Sequence, residues 1–159
     1  MIHDRPPRLA PQVYLGRHRY HVRTSTWNRA RHFETADTTA WVLEQLLQRL
    51  DPFRFAMFAY CFMPDHVHLL LESQSNDASL IGLISRWKQT TGFRFKHAHG
   101  VRLCQSSFFD RVLREDESSV SVAAYILSNP VRASLAATVG EYPFAWCAWG
   151  NNVGTDARG

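Results

Sequence analysis

The sequence is poor in cysteine and contains no long apolar run. Its 159 residues include only Cys61, Cys104 and Cys147, an odd number at wide spacing. These cysteines predict neither a disulfide framework nor a CxxC metal site, and they suit a reducing compartment. No apolar run is long enough to cross a membrane, and the N-terminus lacks the apolar segment of a signal peptide. We therefore expect a cytoplasmic protein with no membrane partner.

Lysine is also scarce, so arginine carries almost all of the positive charge. Of the 18 basic residues only Lys88 and Lys96 are lysines, and the formal net charge is +4. A guanidinium binds phosphate in a two-pronged geometry, which favours a polyanionic partner. A coding bias towards arginine explains the same composition without any function, and composition alone does not decide between the two explanations.

Hydrophobic periodicity predicts one α+β domain over residues 1–159, with irregular ends at 1–16 and 150–159. Strand patterns alternate with helical ones in the order β-α-β-β-α-β, followed by an additional C-terminal helix. This order is that of the ferredoxin-like split βαβ arrangement, so we expect an antiparallel sheet of four or five strands with two main helices on one face. Asn76 and Asp77 are candidate caps for the second helix, Gly100 should end it, and Pro130 should end the last one.

Two histidines with a single residue between them fall in the third strand pattern. Side chains alternate along a strand, so His66 and His68 leave the same face, where neutral imidazoles can bind a divalent cation. The same spacing recurs at His97 and His99 near a helix end, where the rings point apart, so spacing alone also suits an ordinary polar face. The other face of the strand is continuously apolar and must be core, whereas the histidine face is expected to lie outside the core. That rigid setting favours a metal site, which needs a third ligand from elsewhere.

A tyrosine and an asparagine lie four residues apart at the end of the last predicted helix. Tyr125 and Asn129 therefore share one helical face, where the asparagine oxygen could join a metal and the phenol could attack a phosphate. The alternative is that Tyr125 packs under the sheet and Asn129 caps the helix. Tyrosine is a poor nucleophile near neutral pH, and a metal that neutralises phosphate charge makes its attack feasible. Tyr60, in a buried strand, is the chief rival nucleophile.

Two segments resemble those of a known enzyme family. Residues 62–71, FMPDHVHLLL, strongly resemble the HUH motif of single-tyrosine, IS200-like transposases, in which U is a bulky apolar residue. Residues 125–135, YILSNPVRASL, followed by Tyr-Pro-Phe at 142–144, resemble the C-terminal signature of the REP-associated tyrosine transposases. The resemblance runs from about residue 17 to residue 146. The two motifs are individually modest but jointly specific, because they occur in the expected order.

The resemblance implies a ferredoxin-like fold and a role for each of four residues. His66 and His68 would bind Mg or Mn, Asn129 would complete the site, and Tyr125 would be the nucleophile. The family cuts single-stranded DNA beside hairpins, joining tyrosine to the 5′-phosphate and freeing a 3′-OH. The protein would then be a transposase, cytoplasmic and associated with the nucleoid when it acts on DNA.

The predicted partner is single-stranded or hairpin DNA, bound by a monomer or a homodimer. Candidate DNA contacts are basic residues on the first strand and on the second helix: Arg19, Arg23, Arg86, Lys88 and Arg94. Two other readings stay open. One is a non-catalytic nucleic-acid-binding module on a ferredoxin-like fold. The other is a hydrolytic zinc enzyme that uses the histidine pair and leaves no covalent protein–DNA product.

Overall fold

The computed structural model describes residues 17–151, which contain five strands, three α-helices and two short 3-10 helices. The predicted irregular segment 1–16 and most of the predicted segment 150–159 lie outside the described residues. The strands are β1 (Arg19–Ser25), β2 (Phe55–Met63), β3 (His66–Ser73), β4 (Phe109–Val112) and β5 (Ala145–Cys147). The helices are α1 (Ala36–Leu50), α2 (Leu80–His99) and α3 (Ser119–Arg132).

The strands form a single antiparallel sheet in the order β4-β1-β3-β2-β5. The predicted α+β, ferredoxin-like arrangement is therefore confirmed, with the histidine-bearing strand β3 at its centre. Strand β5 was not predicted, because its three residues are too few to give an alternating pattern. The five-strand sheet follows from adding this short strand at the β2 edge.

Helices α1 and α2 cover one face of the sheet. The core on this side includes Val67, Leu69 and Leu71 of β3, all fully buried. The two helices are joined to each other by Trp87, whose indole Nε1 donates to the Val42 carbonyl at 3.0 Å. The predicted placement of two main helices on one face of the sheet is confirmed, and that face is the one opposite the histidines.

The third helix packs on the other face, the one that carries the histidines. There Ile126 of α3 packs in a second buried cluster with Ala59 and Cys61 of β2 and Leu70 of β3. His68 is itself only 6% exposed. The expectation that this face lies outside the core is therefore wrong, because the apolar stripe of α3 closes over part of it. The alternation in β3 gave the direction of each side chain but not what would cover it.

Helix ends agree with the sequence signals in part. Gly100 ends α2 as predicted, with the left-handed φ of 73° that glycine adopts without a steric penalty. Helix α2 is capped two to three residues later than expected from Asn76 and Asp77, because the Ser79 hydroxyl accepts the hydrogen bond from the Gly82 N–H at 3.0 Å. A serine cap at that position satisfies an amide that the first turn leaves unbonded.

Candidate active site

His66 and His68 lie on one face at the start of β3, with ring centroids 5.0 Å apart. The antiparallel register places Arg23 of β1 and Cys61 of β2 on either side of His68. Hydrogen bonds to neighbours on both sides hold this part of β3 in the middle of the sheet. The backbone that carries the histidines is therefore paired with a strand on each side, which suits a site that needs fixed geometry.

Each imidazole uses its Nδ1 atom within the protein. His66 Nδ1 lies 2.7 Å from a carboxylate oxygen of Asp65, and His68 Nδ1 lies 3.0 Å from Nε2 of His21. Within residues 17–151, neither Nε2 atom has a hydrogen-bond partner. A ring held by one nitrogen and open at the other is the usual arrangement of a metal-binding histidine.

Burial keeps the histidines of this face neutral. Burial lowers the pKa of His68 to about 3, and the neighbouring His21 and His66 add to the effect. Burial likewise lowers the pKa of His21 to about 4, with Arg111 contributing. Burial also lowers the pKa of His66, although the hydrogen bond with Asp65 opposes it. Neutral imidazoles at pH 7 retain the lone pair that a cation needs.

Tyr125 is the described tyrosine that lies beside the histidines. Its side chain is half exposed, and its ring centroid is 6.1 Å from that of His21 in an edge-on contact. Tyr60, the rival nucleophile, pairs with Leu69 in the β2–β3 register and therefore points to the α1–α2 side. Tyr142 donates its hydroxyl to the Phe62 carbonyl at 2.5 Å. The geometry therefore separates Tyr60 from the histidine face.

Asn129 explains why α3 continues past a proline. Pro130 has no N–H, so the Ile126 carbonyl four residues earlier lacks its helical donor. The Asn129 side-chain Nδ2 donates to that carbonyl at 3.0 Å, and the helix extends to Arg132. The prediction that Pro130 ends the helix is therefore wrong. The other end of the Asn129 amide, Oδ1, accepts a hydrogen bond from the Arg132 guanidinium at 2.7 Å.

The donor set suits a divalent cation that accepts nitrogen and oxygen ligands. Residues 17–151 contain no group of three or more histidine, cysteine, aspartate or glutamate side chains that could hold a metal ion. Asn129 Oδ1, the third ligand predicted from the sequence, is an amide oxygen, and in the structure it accepts the hydrogen bond from Arg132. Carbonyl oxygen with imidazole is a donor set on which Mn can bind, and Mg accepts the same oxygen.

The two predicted DNA contacts on β1 lie on the histidine face but differ in their surroundings. Arg23 is the cross-strand neighbour of His68, and in the described part of the chain its buried Nε atom has no hydrogen-bond partner. Arg19 donates to the Glu117 carbonyl at 2.9 Å and to the Ser119 hydroxyl at 2.6 Å. Arg19 therefore ties β1 to the start of α3, whereas Arg23 stands beside His68.

The predicted contacts on α2 lie on the other side of the sheet. Arg86 and Arg94 are exposed, and Lys88 donates to the Ser107 carbonyl at 2.8 Å. The structure does not bring these three residues together with His66 and His68. Any DNA contact that they make would have to be with a part of the DNA remote from the histidines, and it stays a prediction.

Sequence reasoning missed two residues of this site. His21 alternates with Tyr20 on β1, so its direction was visible, but its contact with His68 depends on the β1–β3 register. Arg132 lies seven residues after Tyr125, two helical turns along the same face, and its guanidinium carbon sits 4.2 Å from the Tyr125 ring centroid. The helical spacing could have placed Arg132 beside the tyrosine.

Known proteins resemble this chain in sequence and in fold. The family model described as "Transposase IS200 like" matches residues 14–126, a range that includes both histidines and Tyr125. A protein of Haemophilus influenzae assigned as a REP-associated tyrosine transposase is 26% identical over 110 residues. That alignment covers 62% of this chain and 62% of the relative, so the chain spans less than two thirds of the relative's length.

Two solved structures share the fold. A REP-associated tyrosine transposase bound to a REP hairpin superposes with a TM-score of 0.71 at 18% identity, covering 88% of this chain and 81% of its own. A transposase assigned in Deinococcus radiodurans gives a TM-score of 0.51 at 19% identity, covering 82% and 92% respectively. In the described residues 17–151, no helix is both long and apolar enough to span a bilayer. Because the family model covers well over half of its length, the chain belongs to the IS200-like transposase family.

Proposed function

We propose that this chain is a metal-dependent single-stranded DNA endonuclease and strand-transferase that forms a 5′-phosphotyrosine intermediate. The observation that carries the proposal is the row of rings formed by Tyr125, His21, His68 and His66, with successive centroids 6.1, 5.2 and 5.0 Å apart. The row links the half-exposed Tyr125, through His21, to the two neutral imidazoles of His68 and His66, whose Nε2 atoms are open. A tyrosine next to a cation site is the arrangement that phosphate attack requires.

His66, His68 and Asn129 would hold Mg or Mn in this proposal. Such a cation supplies charge neutralisation at the scissile phosphate and stabilises the leaving oxygen. Asn129 is one helical turn after Tyr125, so the ligand and the nucleophile are carried by the same stretch of α3. Arg23, next to His68, offers a guanidinium to a phosphate oxygen.

Tyr125 would then carry out the covalent step. The phenol loses its proton and its oxygen forms a bond to the phosphorus, while the bond from phosphorus to the 3′ oxygen breaks. The released strand takes up a proton and ends in a 3′-OH. The phosphotyrosine bond retains the energy of the broken phosphodiester, so a second 3′-OH can later attack it and rejoin the strands.

Hairpin DNA is the proposed substrate class. The support is that a structural relative with the same fold was solved bound to a REP hairpin. Family membership and an arginine-rich sequence agree with a phosphate-bearing partner. The protein would act on the nucleoid, as a monomer or a homodimer.

The first prediction separates an enzyme from a binding module. A labelled hairpin oligonucleotide with a single-stranded flank is incubated with the protein and manganese or magnesium, then run on a denaturing gel. We expect a slow-migrating covalent protein–DNA band that disappears when the cation is removed with a chelator. Hairpin binding without cleavage under all metal conditions would support the non-catalytic module instead. Cleavage without a covalent band would support attack by water.

The second prediction concerns the ionic contribution to DNA binding. Affinity for the hairpin should fall steeply between about 50 and 200 mM salt, because each phosphate that is neutralised releases counterions. Arg23→Ala should lower the slope of log affinity against log salt by about 1, the effect of one lost phosphate contact. Fluorescence anisotropy titrations at several salt concentrations measure both quantities.

Arg86→Ala and Arg94→Ala serve as comparisons for this measurement, because both residues are exposed on the opposite side of the sheet. An unchanged slope in these variants would limit the contact to the histidine face. A reduced slope would extend the DNA path around the sheet. A wild-type affinity that does not respond to salt would contradict a phosphate-dominated interface.

A further inference from the structure

The contact between His21 and His68 gives His21 a role that the proposed mechanism leaves unassigned. We propose that His21 is a positioning residue, which fixes the tautomer and the ring orientation of His68 so that His68 Nε2 presents its lone pair to a divalent cation. The inference rests on the proposed function, since it concerns the same cation site. It deepens that function by naming the group that prepares one of the two imidazole ligands.

The geometry of the contact is that of a hydrogen bond across neighbouring strands. His21 on β1 stands opposite Leu70 on β3, which makes His68 its diagonal neighbour on the same face. The two ring centroids are 5.2 Å apart, and His21 Nε2 lies 3.0 Å from His68 Nδ1. This separation requires one of the two nitrogens to carry a proton and the other to accept it.

Only one of the two possible proton positions leaves His68 able to bind a cation through Nε2. A neutral imidazole carries a single N–H. If His21 donates, His68 Nδ1 is the acceptor and the His68 proton must be on Nε2, where it blocks coordination. If His68 Nδ1–H donates to His21 Nε2, the lone pair of His68 Nε2 faces outwards. Cation binding at His68 therefore requires His21 to be the acceptor.

The tautomer of His66 is fixed in the same way, by a different hydrogen-bond acceptor. Its Nδ1 faces the Asp65 carboxylate at 2.7 Å, and a carboxylate cannot donate when ionised, so the His66 proton is held on Nδ1. The two ligand histidines thus have separate supports, Asp65 for one and His21 for the other.

His21 is itself held in place by its surroundings. It is half-buried on β1 opposite Arg111 of β4, and it lines an open cleft of about 440 Å³ together with Glu117, Ser121 and Tyr125. Its ring lies between the sheet and α3, with its centroid 6.1 Å from that of Tyr125. A fixed acceptor orients the His68 ring as well as selecting its tautomer.

The first arm of the test measures cation affinity by calorimetry with Mn²⁺ alone. His21→Leu removes the acceptor at similar volume and should weaken Mn²⁺ binding by about 10- to 100-fold, the usual effect of losing such a support. His21→Gln, whose amide oxygen can accept from His68 Nδ1–H, should recover most of that affinity. The matched control is His97→Leu, at an exposed residue near the end of α2, which should leave the affinity unchanged. Equal affinity of wild type and His21→Leu would overturn the proposal.

The second arm reads the tautomer directly in the metal-free protein. Nitrogen-15 spectra of labelled histidine should show His68 with its proton on Nδ1 in wild type and in His21→Gln, and a shift towards the Nε2–H form in His21→Leu. A wild-type His68 with its proton on Nε2 would overturn the proposal. The nitrogen-15 measurement depends neither on Mn²⁺ binding nor on DNA cleavage. A protein that neither binds Mn²⁺ nor cuts DNA would refute the proposed function, and the spectra would still determine the His68 tautomer.

The third outcome concerns direct ligation by His21. Pulsed electron paramagnetic resonance of bound Mn²⁺ counts the coordinated imidazoles. Two imidazoles in wild type and two in His21→Gln would support a positioning role. Three in wild type and two in His21→Gln would make His21 a ligand and overturn the positioning role.

Discussion

Tyr125→Phe is expected to abolish the covalent protein–DNA product. The change removes only the phenolic oxygen, so the ring contacts with His21 and Arg132 remain. Loss of a nucleophile that acts in concert with its partners lowers a rate by several orders of magnitude, and we expect a reduction of at least about 1000-fold. The measurement is the initial rate of adduct formation on a denaturing gel, with labelled hairpin DNA and saturating magnesium.

The matched control is Tyr60→Phe, the same chemical change on the opposite face of the sheet. Tyr60 is half-buried and stacks on Trp146, with ring centroids 6.1 Å apart. It should lose little adduct formation, because its hydroxyl faces away from the histidines. Hairpin affinity should be similar in both variants and in wild type. Persistence of the covalent band in Tyr125→Phe, with its loss in Tyr60→Phe, would exchange the roles of the two tyrosines.

The sheet could be predicted from the sequence because its signals are local. Alternation in β3 gave the apolar face of Val67, Leu69 and Leu71, and that face is the α1–α2 core. The element order then matched a known antiparallel topology, the ferredoxin-like split βαβ arrangement. The short β5 strand was not predicted, because its pairing with β2 depends on contacts between residues distant in sequence and not on a local pattern.

The covering of the histidine face could not be predicted in the same way. Each of His66 and His68 was correctly assigned to one face, but their burial depends on where α3 docks. The helix packs through Ala123 and Ile126 against β2. This docking depends on tertiary contacts and not on a local sequence pattern. An alternating pattern reports the direction of a side chain and not the element that lies above it.

The proline in α3 shows how a local rule can be overridden. Proline disfavours helical geometry in the residue before it, and Asn129 precedes Pro130. The rule fails here because Asn129 replaces the missing backbone donor with its own side chain, at 3.0 Å from the Ile126 carbonyl. This compensation depends on an asparagine at that position. The Asn-Pro pair therefore predicts a helix end from the sequence, whereas in the structure it lies inside the helix.

The second large effect is expected from the two histidines proposed as metal ligands. His66→Ala and His68→Ala should each weaken Mn²⁺ binding by more than about 100-fold, which exceeds the loss expected when only a residue that orients a ligand is removed. Adduct formation should fall to background in both. The control is the other histidine pair, in which His97→Ala and His99→Ala carry the same change at exposed helical residues. These two variants should bind Mn²⁺ and cut DNA as wild type does.

The two ligand variants should nevertheless differ in stability, which separates a binding defect from a folding defect. His68 is buried and its alanine variant also leaves His21 Nε2 without a partner, so we expect a loss of about 1–3 kcal/mol in the free energy of unfolding. His66 is less buried and should lose less. In wild type, Mn²⁺ at about 100 times its Kd should add about 2.7 kcal/mol, and in both variants it should add almost nothing. Urea unfolding with and without Mn²⁺ measures these terms. Because His66→Ala is expected to stay folded and yet lose the cation effect, a His66→Ala protein that Mn²⁺ still stabilises fully would remove the histidine pair from the metal site.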